Sequence, residues 1–244
     1  MMTSRRFALI ALAALATLTA LLTGCASTPP PPDWQTNAHG ALKDFSSAYL
    51  MGNSRVANLE FARAKAEIAS TGRLDLLARA EAVRCALRVA SLELDNCAGF
   101  EAVAQDANAA ERTYVAFLTG HWQDMNAAQT TAQPTPMALL PEHYRALVAA
   151  KDEPTRNAAY MSLSAPLSRL IAAGVLLQIG QITPEGVSMA VNTASDQGWR
   201  KPLLAWLGVQ LKLTQASTEA HARIQRRIDL LSSDRVPQDA TAKP

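Results

Sequence analysis

From residue 34 onward, apolar positions recur at three- and four-residue spacing, the period of an amphipathic helix. Ala38, Leu42, Phe45, Tyr49 and Leu50 make the first stripe, and Gly52 can end it. Ser54 suits the N-cap of a second helix with Val56, Leu59, Ala62, Ala66 and Ile68 on its face, closed by Gly72. A third helix is predicted from about Arg73, with Leu76, Ala80, Val83, Leu87, Ala90 and Leu94 as its stripe. Its other side carries Arg73, Asp75, Arg79, Glu81, Arg84 and Arg88, which reads as a solvated face. There Asp75 and Arg79 stand at ion-pair spacing, and Arg84 with Arg88 could take an anion. The pattern continues over 100–118 as one helix ending at Gly120, and a short amphipathic piece starts at His121 and Trp122.

Pro134, Pro136 and Pro141 interrupt the pattern within 130–141, which marks a subdomain junction or a long inter-helix loop. Two short helices follow, over 142–150 and 154–163. The stretch 165–180 is apolar on nearly all sides, so it is predicted to be a central, buried helix. Further helices start at Thr183-Pro184, at Lys201-Pro202 and near Ser217. The fold class is therefore all-α, with roughly nine to eleven helices stacked as antiparallel hairpins. Aromatic content of 5% and only 11 glycines agree with helices rather than a sandwich or barrel. The segment Ala205-Trp206-Leu207-Gly208 and the hairpin pattern resemble tetratricopeptide-like helix arrays. The resemblance implies a bundle or short solenoid, although a regular period of about 34 residues is missing.

The amino end is of a different kind. Arg5 and Arg6 precede an apolar run over 7–22, and Leu22-Thr23-Gly24-Cys25 closes it. Charge, apolar core and small-residue cleavage site are the parts of a secretory signal peptide. A helix over that run would span roughly 24 Å, short of the roughly 30 Å hydrocarbon core. With Cys25 behind the small residues, the segment resembles the lipobox of a bacterial lipoprotein precursor. The resemblance implies that 1–24 are removed and that Cys25 becomes the first residue, acylated on sulfur and amine. In that family an Asp after the cysteine signals inner-membrane retention; Ala26 here implies outer-membrane delivery. Residues 25–36, with four consecutive prolines, read as a stiff tether. The helical domain is placed at 37–232 and a disordered tail at 233–244.

Charge and cysteine content sharpen this. The chain bears 23 Lys and Arg against 21 Asp and Glu, and loss of Arg5 and Arg6 leaves 21 against 21. A neutral chain has no electrostatic case for nucleic acid. Apart from Cys25, two cysteines remain, Cys85 and Cys97, and an oxidising compartment favours their pairing. In a continuous helix their Cα atoms would stand about 18 Å apart; a bridge needs about 7 Å or less. The third helix is therefore expected to end by about Leu94, with the chain folding back at Asp95-Asn96.

Chemistry is sparse. His39, His121, His143 and His221 are scattered, with no ligand spacing among them. Nucleophile elbows, phosphate loops and dinucleotide fingerprints are missing, and Asp152-Glu153 reads as a solvated turn. No catalytic residue, metal ligand or cofactor is assigned. Trp199, Arg200 and Trp206 are candidates for a partner-binding surface, against the alternative that Trp199 packs under the following helix and Trp206 lies in the core. Arg223, Arg226 and Arg227 read as a solvated face. The expected function is a lipid-anchored outer-membrane lipoprotein facing the periplasm. It would be held by lipid on Cys25 and present helical surface to another envelope protein. The alternatives are an enzyme acting on peptidoglycan or another envelope polymer, and a carrier of an apolar ligand.

Overall fold

The computed structural model describes residues 30–121, 135–216 and 218–233. The signal segment, Cys25, the start of the tether, the piece from Trp122, residues 130–134 and the end of the tail lie outside them. The chain divides into Met1–Asp33 and a compact body from Trp34 onward.

Among the described residues there are twelve α-helices, one 3-10 turn and no strand. They are α1 Asp33–Met51, α2 Ser54–Ala69, α3 Leu74–Ala90, α4 Ala98–Glu101, α5 Ala109–Leu118 and α6 Pro136–Leu139. There follow α7 Glu142–Ala149, α8 Glu153–Met161, α9 Pro166–Gln178, α10 Pro184–Asp196, α11 Arg200–Leu213 and α12 Glu219–Ser233. The all-α class is as expected from the periodicity. The count exceeds the expected range because α4 and α6 are single turns of four residues each. The first helix begins at Asp33, directly after Pro32.

Two helices form the centre. α3 packs against α2, α4, α5 and α9, and α9 also meets α5, α8 and α10. At their crossing Gly174 lies against Val89, whose carbonyl oxygen would stand 2.2 Å from an added Cβ. The apolar run over 165–180 thus becomes a buried helix, with Leu170, Ile171, Val175 and Leu176 all inside. α3 is a wall shared by two clusters. Ala80 and Leu87 join a smaller cluster with Phe45, Tyr49 and Phe61 of α1 and α2. Ala78, Ala82, Cys85, Ala86, Val89 and Ala90 join the main core, which runs on to Ile224 of α12. This explains its many alanines: small side chains let neighbours approach on both sides. Residues from both sides of 130–141, including Leu118 and Leu147, share that main core.

Several local expectations change. α3 has no fully solvated charged face, because Glu81 is 4% exposed and pairs with Lys65 and Arg84, each at 3.1 Å. Asp75 pairs with Arg73 at 2.6 Å, and Arg79 with Glu111 at 3.1 Å, instead of with each other. Glu111 is fixed for that role by the capping box it makes with Asn108 at the start of α5. The segment 100–118 is not one helix: it breaks into α4, the turn Ala104–Asp106 and α5. Asn53, not Ser54, caps α2, its side chain accepting from the Val56 N–H.

Cys85 and Cys97 are bridged, with Cα atoms 5.1 Å apart. As the spacing required, α3 stops before the second cysteine. Leu92, Asn96 and Cys97 take left-handed backbone conformations that reverse the chain. The bridge holds α4 on α3, where an added Cβ at Gly99 would meet the Glu81 carboxylate at 2.4 Å.

Candidate functional site

The helix ends beside α3 gather the most chemistry. α3 finishes at Ser91, its C-cap, and Leu92 follows at φ 60. A left-handed leucine costs about 1–2 kcal/mol, and the reversal is closed by the Glu93 N–H donating to the Arg88 carbonyl at 2.9 Å. Glu93 is thereby turned toward α1 and α11. Its carboxylate accepts from the Tyr49 hydroxyl at 2.6 Å and from Lys201 Nζ at 2.7 Å, with Arg88 at 3.9 Å. Lys201 Nζ also lies 4.0 Å from the centre of the Tyr49 ring, a cation–π distance. Arg88 reaches on to Asp95 at 3.2 Å. Arg84 and Arg88, read as a possible anion pair, are thus held by carboxylates of the chain itself.

The electrostatics follow from these contacts. Burial pushes the Glu93 carboxyl up, but hydrogen bonds from Lys201 and Tyr49 and the charges of Lys201 and Arg88 outweigh it, so its pKa falls below the ordinary value. Glu93 is therefore ionised near neutrality. Burial first, and then the hydrogen bond and charge of Glu93, hold the Tyr49 phenol far above its usual range. Tyr49 serves as a neutral donor.

This hub separates two clefts. One, of about 440 Å³, is lined by Gly52, Ser54, Ser91, Glu93, Arg200, Lys201, Leu204 and Ala205. The other, of about 430 Å³, is lined by Phe45, Tyr49, Asn58, Phe61, Ala62, Lys65, Arg84 and Arg88. In the second, Arg84 stacks 5.0 Å from the Phe61 ring centre and Lys65 lies 5.8 Å from it. The first lies between the α1–α2 turn, the end of α3 and the beginning of α11.

The three residues singled out around Trp199 separate. Trp206 is fully buried, and its indole N–H donates to the Ala90 carbonyl at 3.1 Å, tying α11 to α3. It offers no surface to a partner. Trp199 precedes α11 and packs against both hydrophobic clusters, as the core alternative expected. Arg200 lines the first cleft and donates through Nη2 to the Leu231 carbonyl. On α12, Arg226 pairs with Glu219 at 2.8 Å. Cys25 lies outside the described residues.

The sequence marks Tyr49 only as part of an apolar stripe and Lys201 only as a helix start, and Ser91 and Glu93 not at all. Tyr49 and Glu93 are 44 residues apart, and no short motif links them. The one available signal was the Ser91-Leu92-Glu93 break after a long helix, beside a lysine at the start of another. Among the described residues no three of His, Cys, Asp and Glu converge as metal ligands. No described helix is long and apolar enough to cross a membrane. The chain matches no family model, no curated protein and no solved structure.

Proposed function

We propose that this chain is a bacterial lipoprotein, anchored through acyl chains on Cys25 and carrying a helical binding module on the periplasmic face of the outer membrane. The observation that carries the reading is the ordered run of Arg5-Arg6, the apolar stretch 7–22 and Leu22-Thr23-Gly24-Cys25. The Cys85–Cys97 bridge supports it, because such bonds persist in oxidising compartments outside the cytoplasm. Three acyl chains at about 0.8 kcal/mol per buried CH₂ would hold far more firmly than one. The module's binding face is assigned to the charged hub and its two clefts, where helical surface and unbalanced cations meet.

The alternatives have less support. Cleavage of a glycosidic bond in an envelope polymer needs one carboxyl kept protonated as an acid beside a second carboxylate. Glu93 is instead held ionised, with Lys201 and Tyr49 occupying its oxygens. An apolar-ligand carrier needs a cavity along α9, whereas Gly174 and Val89 pack there in direct contact.

Radiolabelled fatty acid and membrane fractionation test the anchor. The parent chain should incorporate label and sediment with outer membranes. Cys25→Ser should lose the label and accumulate as the uncleaved precursor, and Ala26→Asp should move the protein to the inner membrane. A Cys25→Ser variant processed and fractionated like the parent would falsify the reading. Crosslinking in intact cells, with and without Lys201→Glu in the hub, tests the partner assignment.

A further inference from the structure

The cleft of about 440 Å³ beside α11 is of ligand size. Its wall holds donors that lack acceptors. Ser91 is 4% exposed, lines the cleft, and its Oγ has no hydrogen-bond partner among the described residues. Arg200 Nε is likewise buried without a partner among them, although Nη2 of the same side chain is used on Leu231. Buried donors left unmet destabilise a fold. Arg200 Nε can only donate and the Ser91 hydroxyl can donate, so a single acceptor answers both.

Two helices begin at this cleft. α2, 16 residues long, starts at Ser54, and α11, 14 residues long, starts at Arg200. Trp199 gives α11 no side-chain cap, so the N–H groups of Arg200 and Lys201 are left for another acceptor. Pro202 supplies no N–H at the third position, so side chains must complete the set. Lys201 adds a full charge, and a lysine has donors beyond the one given to Glu93. Around the hub, Arg88, Arg200 and Lys201 face Glu93 and Asp95, which leaves one positive charge unmatched.

We infer that this cleft binds the oxyanion of a small polar ligand, a carboxylate or a phosphate, held by Ser91, Arg200, Lys201 and the start of α11. A cationic ligand would leave the Arg200 N–H unanswered and would add to the positive excess. The inference is independent of the anchor, since nothing in it depends on acylation of Cys25.

The test is thermal unfolding and calorimetric titration of the full-length protein in detergent, with inorganic phosphate and with acetate, each against chloride at matched ionic strength. At least one oxyanion should raise Tm above the chloride control. A response to phosphate alone identifies a phosphoryl ligand, and a response to acetate a carboxylate. Ser91→Ala removes an unmet hydroxyl without disturbing the fold and should weaken Kd about tenfold. Ala205→Leu fills the cleft from the α11 side and should abolish the response, its fold being checked by circular dichroism. A parent protein indifferent to both oxyanions overturns the inference, and so does a response that survives either substitution unchanged.

Discussion

Gly174 shows how far one missing side chain reaches. Its Cα faces the Val89 carbonyl so closely that a Cβ would lie 2.2 Å from the oxygen, and that oxygen is backbone and cannot swing aside. Gly174→Ala should therefore push α3 and α9 apart and cost roughly 1–3 kcal/mol, the range of overpacked core positions. Urea denaturation would show this as a lower midpoint with an unchanged slope. Glu93 makes a different kind of contribution. Its pKa is lowered in the fold, so the stability it provides is present above the ordinary carboxylate value of 4.5 and is lost as pH falls through the folded value below that. Glu93→Gln should be less stable than the parent at pH 7, with the gap closing below about pH 4 as the parent's carboxylate is protonated. Thermal melts of both proteins across that range measure it, and a gap that stays constant would show that Glu93 acts by shape rather than by charge.

Among the elements, α3 was the least legible in the sequence and has the most contacts. One stripe, from Leu76 to Ala90, was plain from the spacing, but Ala78, Ala82 and Ala86 on its other side carry no hydrophobic contrast that would mark a second buried face. Nor could Glu81 be recognised as buried, because the lysine that pairs with it lies on α2. α9 was legible for the opposite reason: large apolar residues on every side leave only a central position open to it. The break between α4 and α5 was missed because the periodicity of 100–118 survives a turn of 3-10 geometry, while the capping box at Asn108-Glu111 marks a fresh start. The disulfide was the most informative feature, since bridging distance required α3 to end by about Leu94, and it ends at Ala90. It closes a short loop, so its loss should cost about 2–3 kcal/mol. Denaturation with and without reductant should show that difference, with Cys97→Ser matching the reduced parent. An equal midpoint in both states would mean that packing of Phe100 in the core is enough to hold α4 in place.

For the whole molecule, stability should be graded rather than uniform, and the gradient bears on where a partner can bind. α3 contributes nine buried residues and α9 seven, and the two cross at the tight Gly174 contact. α12 contributes Ile224 alone, and Leu230 on its outer side is 67% exposed. Local opening free energy follows buried apolar contact. Amide hydrogen exchange should therefore be slowest in α3 and α9, near the global unfolding limit, and fastest in α12. The cleft and its hub lie between these extremes: Ser91 and Glu93 stand at the end of the rigid helix, while Arg200 leans on α12 through the Leu231 carbonyl. An oxyanion in the cleft would join the end of α3 to the start of α11, and through Arg200 it would reach α12. Protection should then rise in α11 and α12 when the ligand is added, with little change in α3 and α9, which are already near their limit. If exchange in α12 is as slow as in α3 before any ligand is present, the body is one cooperative unit and this coupling does not exist.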